Sequence, residues 1–200
     1  MFERRTLEDV QIPDPIRAAV TRRLHQLDRN ERAIVMRASV IGSEFDLTVL
    51  VASGKSSESR VLAALDHALA LQLIVTSETD GRHHFAFRHA VTRDIIYAEL
   101  VTDRTRKLHR RVGAAIERTA SDSDAHLPNI AYHYWLSGDA NRSLRFNERA
   151  GDNAAAIHAF DDARLSYTRA RSLIEVHTLD YDRITRKLNA LPSDRSDITR

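Results

Sequence analysis

Residues 85–112 read FAFRHAVTRDIIYAELVTDRTRKLHRRV, and this stretch decides the fold. It opens as a strand, because Phe85, Phe87 and His89 alternate with Ala86 and Arg88. The period then changes to that of a helix. Val91, Ile95 and Ala98 share one face, and Ile96, Tyr97 and Leu100 widen the apolar stripe. Thr102 or Asp103 can cap a following helix that buries Leu108, Val112 and Ile116. Strand, helix, helix marks a junction: a small mixed domain ends here and an all-helical array begins.

Upstream, Pro13, Asp14 and Pro15 punctuate the start of a helix whose apolar face is Ile16, Val20, Leu24 and Leu27. Asp28 or Asn30 caps a second helix, with Ile34, Val35, Ala38 and Ile41 inward and Gly42 as its stop. Phe45 to Ala52 reads as a short helix or a strand. The polar loop SGKSSES (53–59) follows, then a helix with Val61, Leu62, Leu65, Leu69 and Leu73. A first wing strand begins between Leu73 and Thr76, Asp80-Gly81 signals a hairpin turn, and Phe85 to Arg88 returns.

Beyond Val101 the chain reads as helix. One helix spans 102–120 and ends in the loop SDSD (121–124). The next runs from Leu127 to Leu136, with Ile130, Tyr134 and Trp135 inward, and Ser137-Gly138-Asp139 turns into a long helix over 139–158. Another covers 160–176. Gly138, Ser143 and Ala150 stand where a tetratricopeptide repeat has its turn glycine and small packing residues, and Ala163, Tyr167 and Ala170 give a second copy. The copies are offset by 163 − 143 = 20 residues, against about 34 in a regular repeat, so the array is irregular. A weak helix with Ile184, Leu188 and Leu191 precedes a disordered tail, PSDRSDITR.

The motifs F-x-F-R-H-A-V-x-R-D-x-x-Y-x-x-L (85–100) and R-x-L-H-R-R-V (106–112), with V-I-G-S-E-F-D at 40–46, resemble a segment of bacterial STAND/AAA-type signal-transduction ATPases. These occur in LuxR-type transcription regulators and beside class III adenylate or guanylate cyclases. The resemblance covers about residues 12–176. It implies an N-terminal extension (1–11), a winged-helix-like domain (12–101), a tetratricopeptide-like array (102–176) and a tail (177–200). The family's ATPase domain would lie upstream, so the resemblance implies a fragment or split subunit whose partner is that ATPase domain or another protein.

Composition agrees with a soluble, mainly α protein. Hydrophobic residues make up 42% and charged residues 29%, with six glycines and four prolines. No apolar run suits a membrane helix, and MFERRTLEDV is no secretory signal. The absence of cysteine excludes disulfides and thiolate zinc sites and fits the cytoplasm. Lysine plus arginine exceeds the acids by only 30 − 28 = 2, too little to argue for nucleic acid.

Gly54-Lys55-Ser56 spells the end of a phosphate loop, but Val49 stands where that loop needs its first glycine, so a polar inter-helix loop is the plainer reading. His83, His84 and His89 cluster on the hairpin and His109 follows; since zinc needs three or four converging ligands, they read as an exposed wing with His89 packed at the strand end, and His126 and His133 read as packing residues of the array. Arg104, Arg106, Lys107, Arg110 and Arg111 form the densest positive run. Arg104, Lys107 and Arg111 share a face that can meet a partner, nucleic-acid phosphates or acids on neighbouring helices. A DNA-reading helix would be 60–73, which offers Arg60 and His67 but also Asp66. Nothing in the chain places a nucleophile, base or cofactor. The expectation is a non-catalytic, cofactor-free regulatory module. A DNA-binding regulator and a nucleotide-binding protein using Lys55 are the alternatives.

Overall fold

The computed structural model describes residues 12–79, 82–120 and 124–192. The extension 1–11, the turn at Asp80-Gly81, most of the 121–124 loop and the tail from 193 lie outside them. The described residues form ten helices and a small antiparallel sheet. No helix among them is long and apolar enough to cross a membrane. The chain divides into two compact units, Met1–Leu108 and His109–Arg200. The division lies within a helix, C-terminal to the expected one at Val101.

Unit 1 opens with α1 (Asp14–Leu24) and α2 (Arg29–Ile41). Asp28 caps α2 by accepting from the amides of Asn30 and Glu31, at 2.6 and 2.8 Å, and Glu31 reaches back to the Asp28 amide. This reciprocal capping box satisfies donors that the helix itself cannot. The segment left open between helix and strand is both. β1 (Glu44–Asp46) comes first, and Asp46 then caps α3 (Leu47–Ala52) through the Thr48 amide.

α4 (Glu58–Ala70) is shorter than the apolar spacing suggested. It stops because Gln72 takes a left-handed backbone (φ 55°) and the Leu73 amide bonds back to the Ala68 carbonyl. Leu73 is buried beyond the helix, while Leu62 is exposed; Ala64 and Ala68 complete the inner face instead. β2 (Ile74–Thr79) and β3 (Arg82–Phe87) form the expected hairpin, but the sheet has three strands in the order β1-β3-β2. Phe45 of β1 pairs with Phe85 and stacks on it at 5.8 Å, with Phe87 at 5.7 Å.

α5 (Ala90–Ala98) explains the R-D-x-x-Y motif. Arg93 Nε donates to the Ser39 carbonyl at 2.8 Å, its guanidinium lies 4.7 Å from the Tyr97 ring centre, and Asp94 pairs with it at 2.9 Å. Arg93 thereby pins α5 to α2. Ile95 and Ile96 are buried with Thr92, whereas Ala98 is exposed, contrary to the periodicity.

α6 (Thr102–Thr119) runs from unit 1 into unit 2 and buries Leu108, Val112, Ala115 and Ile116. In unit 2, α7 (Leu127–Ser137), α8 (Ala140–Ala156), α9 (Phe160–Ser172) and α10 (Leu179–Asn189) each pack on the next. Gly138 makes the first turn with φ 72°, a conformation that costs glycine nothing. His158 (φ 61°) stops α8 in the same way, two residues before α9. The weak helix expected near the end is α10: Ile184 is fully buried against Ala163, Tyr167 and Ala170.

Candidate functional site

The Gly54-Lys55-Ser56 loop follows a helix, α3, so the strand–loop–helix frame of a phosphate loop is not formed there. The loop is packed against Arg37, which is 8% exposed. A Cβ at Gly54 would collide with the Arg37 guanidinium, lying 2.7 Å from Nη2 and closer still to Nη1 and Cζ. Ser53 is buried and donates to the Leu50 carbonyl at 3.0 Å. Lys55 is exposed and Ser56 half-buried.

The basic run divides. Arg110 pairs with Asp139 at 3.3 Å, where Asp139 also caps α8 through the Arg142 amide. Arg106, Lys107 and Arg111 are exposed and make no ion pair among the described residues, so the acids expected opposite them are not there. Arg104 instead lines a pocket of about 410 Å³ with Arg29, Asn30, Arg32, Ala33, Met36 and Glu99, all within unit 1. Sequence reading missed this pocket. Its only linear signal is Arg29, Arg32, Ala33 and Met36 at helical spacing, which also describes an ordinary solvated face.

The expected DNA-reading helix is α4. Its exposed positions include Arg60 but also Glu58 and Asp66. His67 is drawn back to Glu31, with Nδ1 3.0 Å from Oε2.

Among the histidines, His89 and His126 are exposed at the N-caps of α5 and α7, where packing positions had been expected. His84 is half-buried, and the side chain of His83 is outside the described residues. His109 and His133 are buried, and their Nδ1 atoms approach to 2.8 Å. One ring donates and the other accepts. No group of three or more metal-ligating side chains gathers among the described residues.

The residues matched to a tetratricopeptide pattern gather in unit 2. Ser143, Ala150, Ala163, Tyr167 and Ala170 are buried, and Gly138 is the exposed turn. Asn147, which the pattern did not flag, fastens α8 to α7: its Nδ2 donates to the Ala131 carbonyl at 3.0 Å. Gly151 lets the Tyr167 ring lie directly on α8; an added Cβ would sit 2.6 Å from Cδ1.

A charged lattice fastens α8 to α10. Arg183 grips Glu148 with Nε at 3.0 Å and Nη2 at 2.9 Å, and Lys187 reaches Glu148 at 2.8 Å and Asp152 at 2.7 Å. Burial alone would raise the Glu148 carboxyl, but hydrogen bonds from Arg183 and Lys187 outweigh it and hold it below the usual range. Burial would likewise lower Lys187, and Asp152 and Glu148 raise it instead. Burial and a hydrogen bond to Glu117 push the Tyr134 hydroxyl up to about 12. Tyr167 is raised by burial and by its bond to Asp152 at 2.8 Å.

Compared with protein-family models, with curated proteins and with solved structures, the chain matches none.

Proposed function

We propose that this chain is a non-catalytic regulatory and protein-interaction module of the kind found in STAND/AAA-type signalling ATPases and LuxR-type regulators. In this reading unit 1 is a winged-helix-like domain and unit 2 a tetratricopeptide-like array. The observation that carries the proposal is the sheet order β1-β3-β2 threaded through α2, α3 and α4. Helix, strand, two helices and a hairpin, with the first strand on the far side of the returning one, is the order a winged-helix reading calls for, and it supports that reading. The successive packing of α7, α8, α9 and α10 supports the second half. Stacked helices of that kind present extended surfaces to proteins.

Reading of DNA through α4 finds little support, because the exposed positions of α4 include Glu58 and Asp66 as well as Arg60, and His67 turns to Glu31. Base-edge contacts need donors such as arginine or asparagine on that face.

Crosslinking of the full chain in an extract of its own cells tests the proposal. The expected adduct is with a protein carrying a nucleotide-binding ATPase module, and Lys107→Glu with Arg111→Glu should abolish it while helicity is unchanged. Salt-dependent duplex binding that vanishes in Arg60→Glu would establish the DNA-binding alternative instead. ATP hydrolysis that vanishes in Lys55→Ala would establish the nucleotide-binding one.

A further inference from the structure

We infer that the pocket between α2, the end of α5 and the start of α6 binds a small phosphorylated molecule bearing hydroxyl groups, of the sugar-phosphate or nucleotide class. Its walls bring Arg29, Arg32 and Arg104 together from two helices far apart in sequence. Guanidinium groups match phosphate oxygens with paired donors, and they hold their charge at every physiological pH.

These arginines are not consumed by the fold. Arg29 and Arg104 are exposed and make no ion pair among the described residues. Arg32 spends Nη2 on the carbonyls of His25 and Leu27, both at 3.4 Å, which are long contacts. Its Nε is buried and has no hydrogen-bond partner. A buried donor left unmade is costly, so the fold does not use the full hydrogen-bonding capacity of Arg32.

The nearby carboxylates are otherwise engaged. Asp28 accepts from two α2 amides, and Glu31 from the Asp28 amide and His67. The α2 amides are therefore already capped, and the attraction comes from the side chains. Glu99 is the one acid in the pocket wall, holding only a 3.4 Å contact from Thr21. An acceptor in the same wall as the arginines disfavours a bare inorganic anion and favours a ligand that also carries hydroxyl donors. The groove is half open, and its volume of about 410 Å³ exceeds what one phosphate fills. Ala33 and Met36 add an apolar wall.

The site depends on neither the regulatory reading nor the 54–56 loop. Calorimetric titration of the full chain in low-salt buffer, with ribose 5-phosphate, AMP, magnesium-free ATP, inorganic phosphate and ribose, tests it. The expected result is saturable binding of the phosphorylated sugars, weaker binding of inorganic phosphate and none of ribose. Arg104→Ala and Arg29→Ala, both at exposed positions, should each weaken binding about tenfold or more. Glu99→Gln should bring inorganic phosphate closer to ribose 5-phosphate. Lys55→Ala should change nothing. No saturation by any phosphate at about 10 mM would overturn the inference. So would unchanged affinity in both arginine variants, equal affinity for inorganic phosphate and ribose 5-phosphate, or a loss of binding confined to Lys55→Ala.

Discussion

A single Cβ separates the glycines that matter in this chain from those that do not. Gly151 lies under the Tyr167 ring, and that ring is held by its buried position and its bond to Asp152. Gly151→Ala would gain about 1 kcal/mol of helix propensity. The collision with the ring should cost about 1–3 kcal/mol, because the tyrosine cannot swing away without losing its partner. Net destabilisation is the expected outcome, read from urea unfolding followed by circular dichroism; a more stable variant would show that the ring is free to move. Gly138 has nothing within 4 Å, so only its backbone matters there. Gly138→Ala should cost about 1–2 kcal/mol through the left-handed conformation alone.

Between elements, stability passes through a few buried polar contacts. The His109–His133 hydrogen bond joins α6 to α7, and Asn147 joins α7 to α8. Removal of either imidazole strips the other of this bond, so His109→Ala and His133→Ala should each cost about 2 kcal/mol or more. The double variant should cost less than their sum, since both remove the same bond. Strict additivity in the denaturation midpoints would show that the rings do not act as a pair. These contacts were hard to read from the sequence. The apolar faces of α1, α2 and α6 were plain, because Val20, Leu24, Ile34, Val35, Val112 and Ile116 recur at helical spacing. The third strand was hidden, because Glu44–Asp46 is too short to show a period. One helix end was misplaced where the stop is a glutamine in a left-handed conformation, at Gln72, whereas the helix expected over 139–158 ends at Ala156, just before the left-handed His158. The pocket around Arg32 was invisible, because Arg104 lies far along the chain from α2 and no motif links them. At the 54–56 loop the sequence shows Val49 where a phosphate loop starts with glycine, and the structure adds that a helix, α3, precedes it.

For the whole molecule, titration limits unit 2 from both sides. Tyr134 is raised to about 12, above an unfolded value near 10. Its contribution is fully present below about pH 10 and is lost as pH rises toward 12. Lys187 and Tyr167 are also raised and act in the same direction. Helicity and tyrosine absorbance at alkaline pH should therefore change together, and Tyr134→Phe, which lacks this contribution at every pH, should weaken the protein below about pH 10 and flatten its loss of stability toward pH 12; an unchanged slope would count against the Glu117 contact. Glu148 is depressed, so its contribution is present above an unfolded value near 4.3 and is lost as pH falls through the lower folded value. Glu148→Gln should flatten the acid limb of stability between about pH 5 and pH 3, and should weaken the protein at pH 7 by about 1 kcal/mol. The helix joints point to a different kind of consequence. Gln72, His158 and His177 hold φ of 55°, 61° and 65°, a conformation in which a Cβ is crowded by its own carbonyl. Glycine at each would relieve that crowding at the cost of a floppier unfolded chain, for a net gain of up to about 1 kcal/mol per joint. Thermostability could thus be engineered into this protein at its corners, with every core side chain left in place.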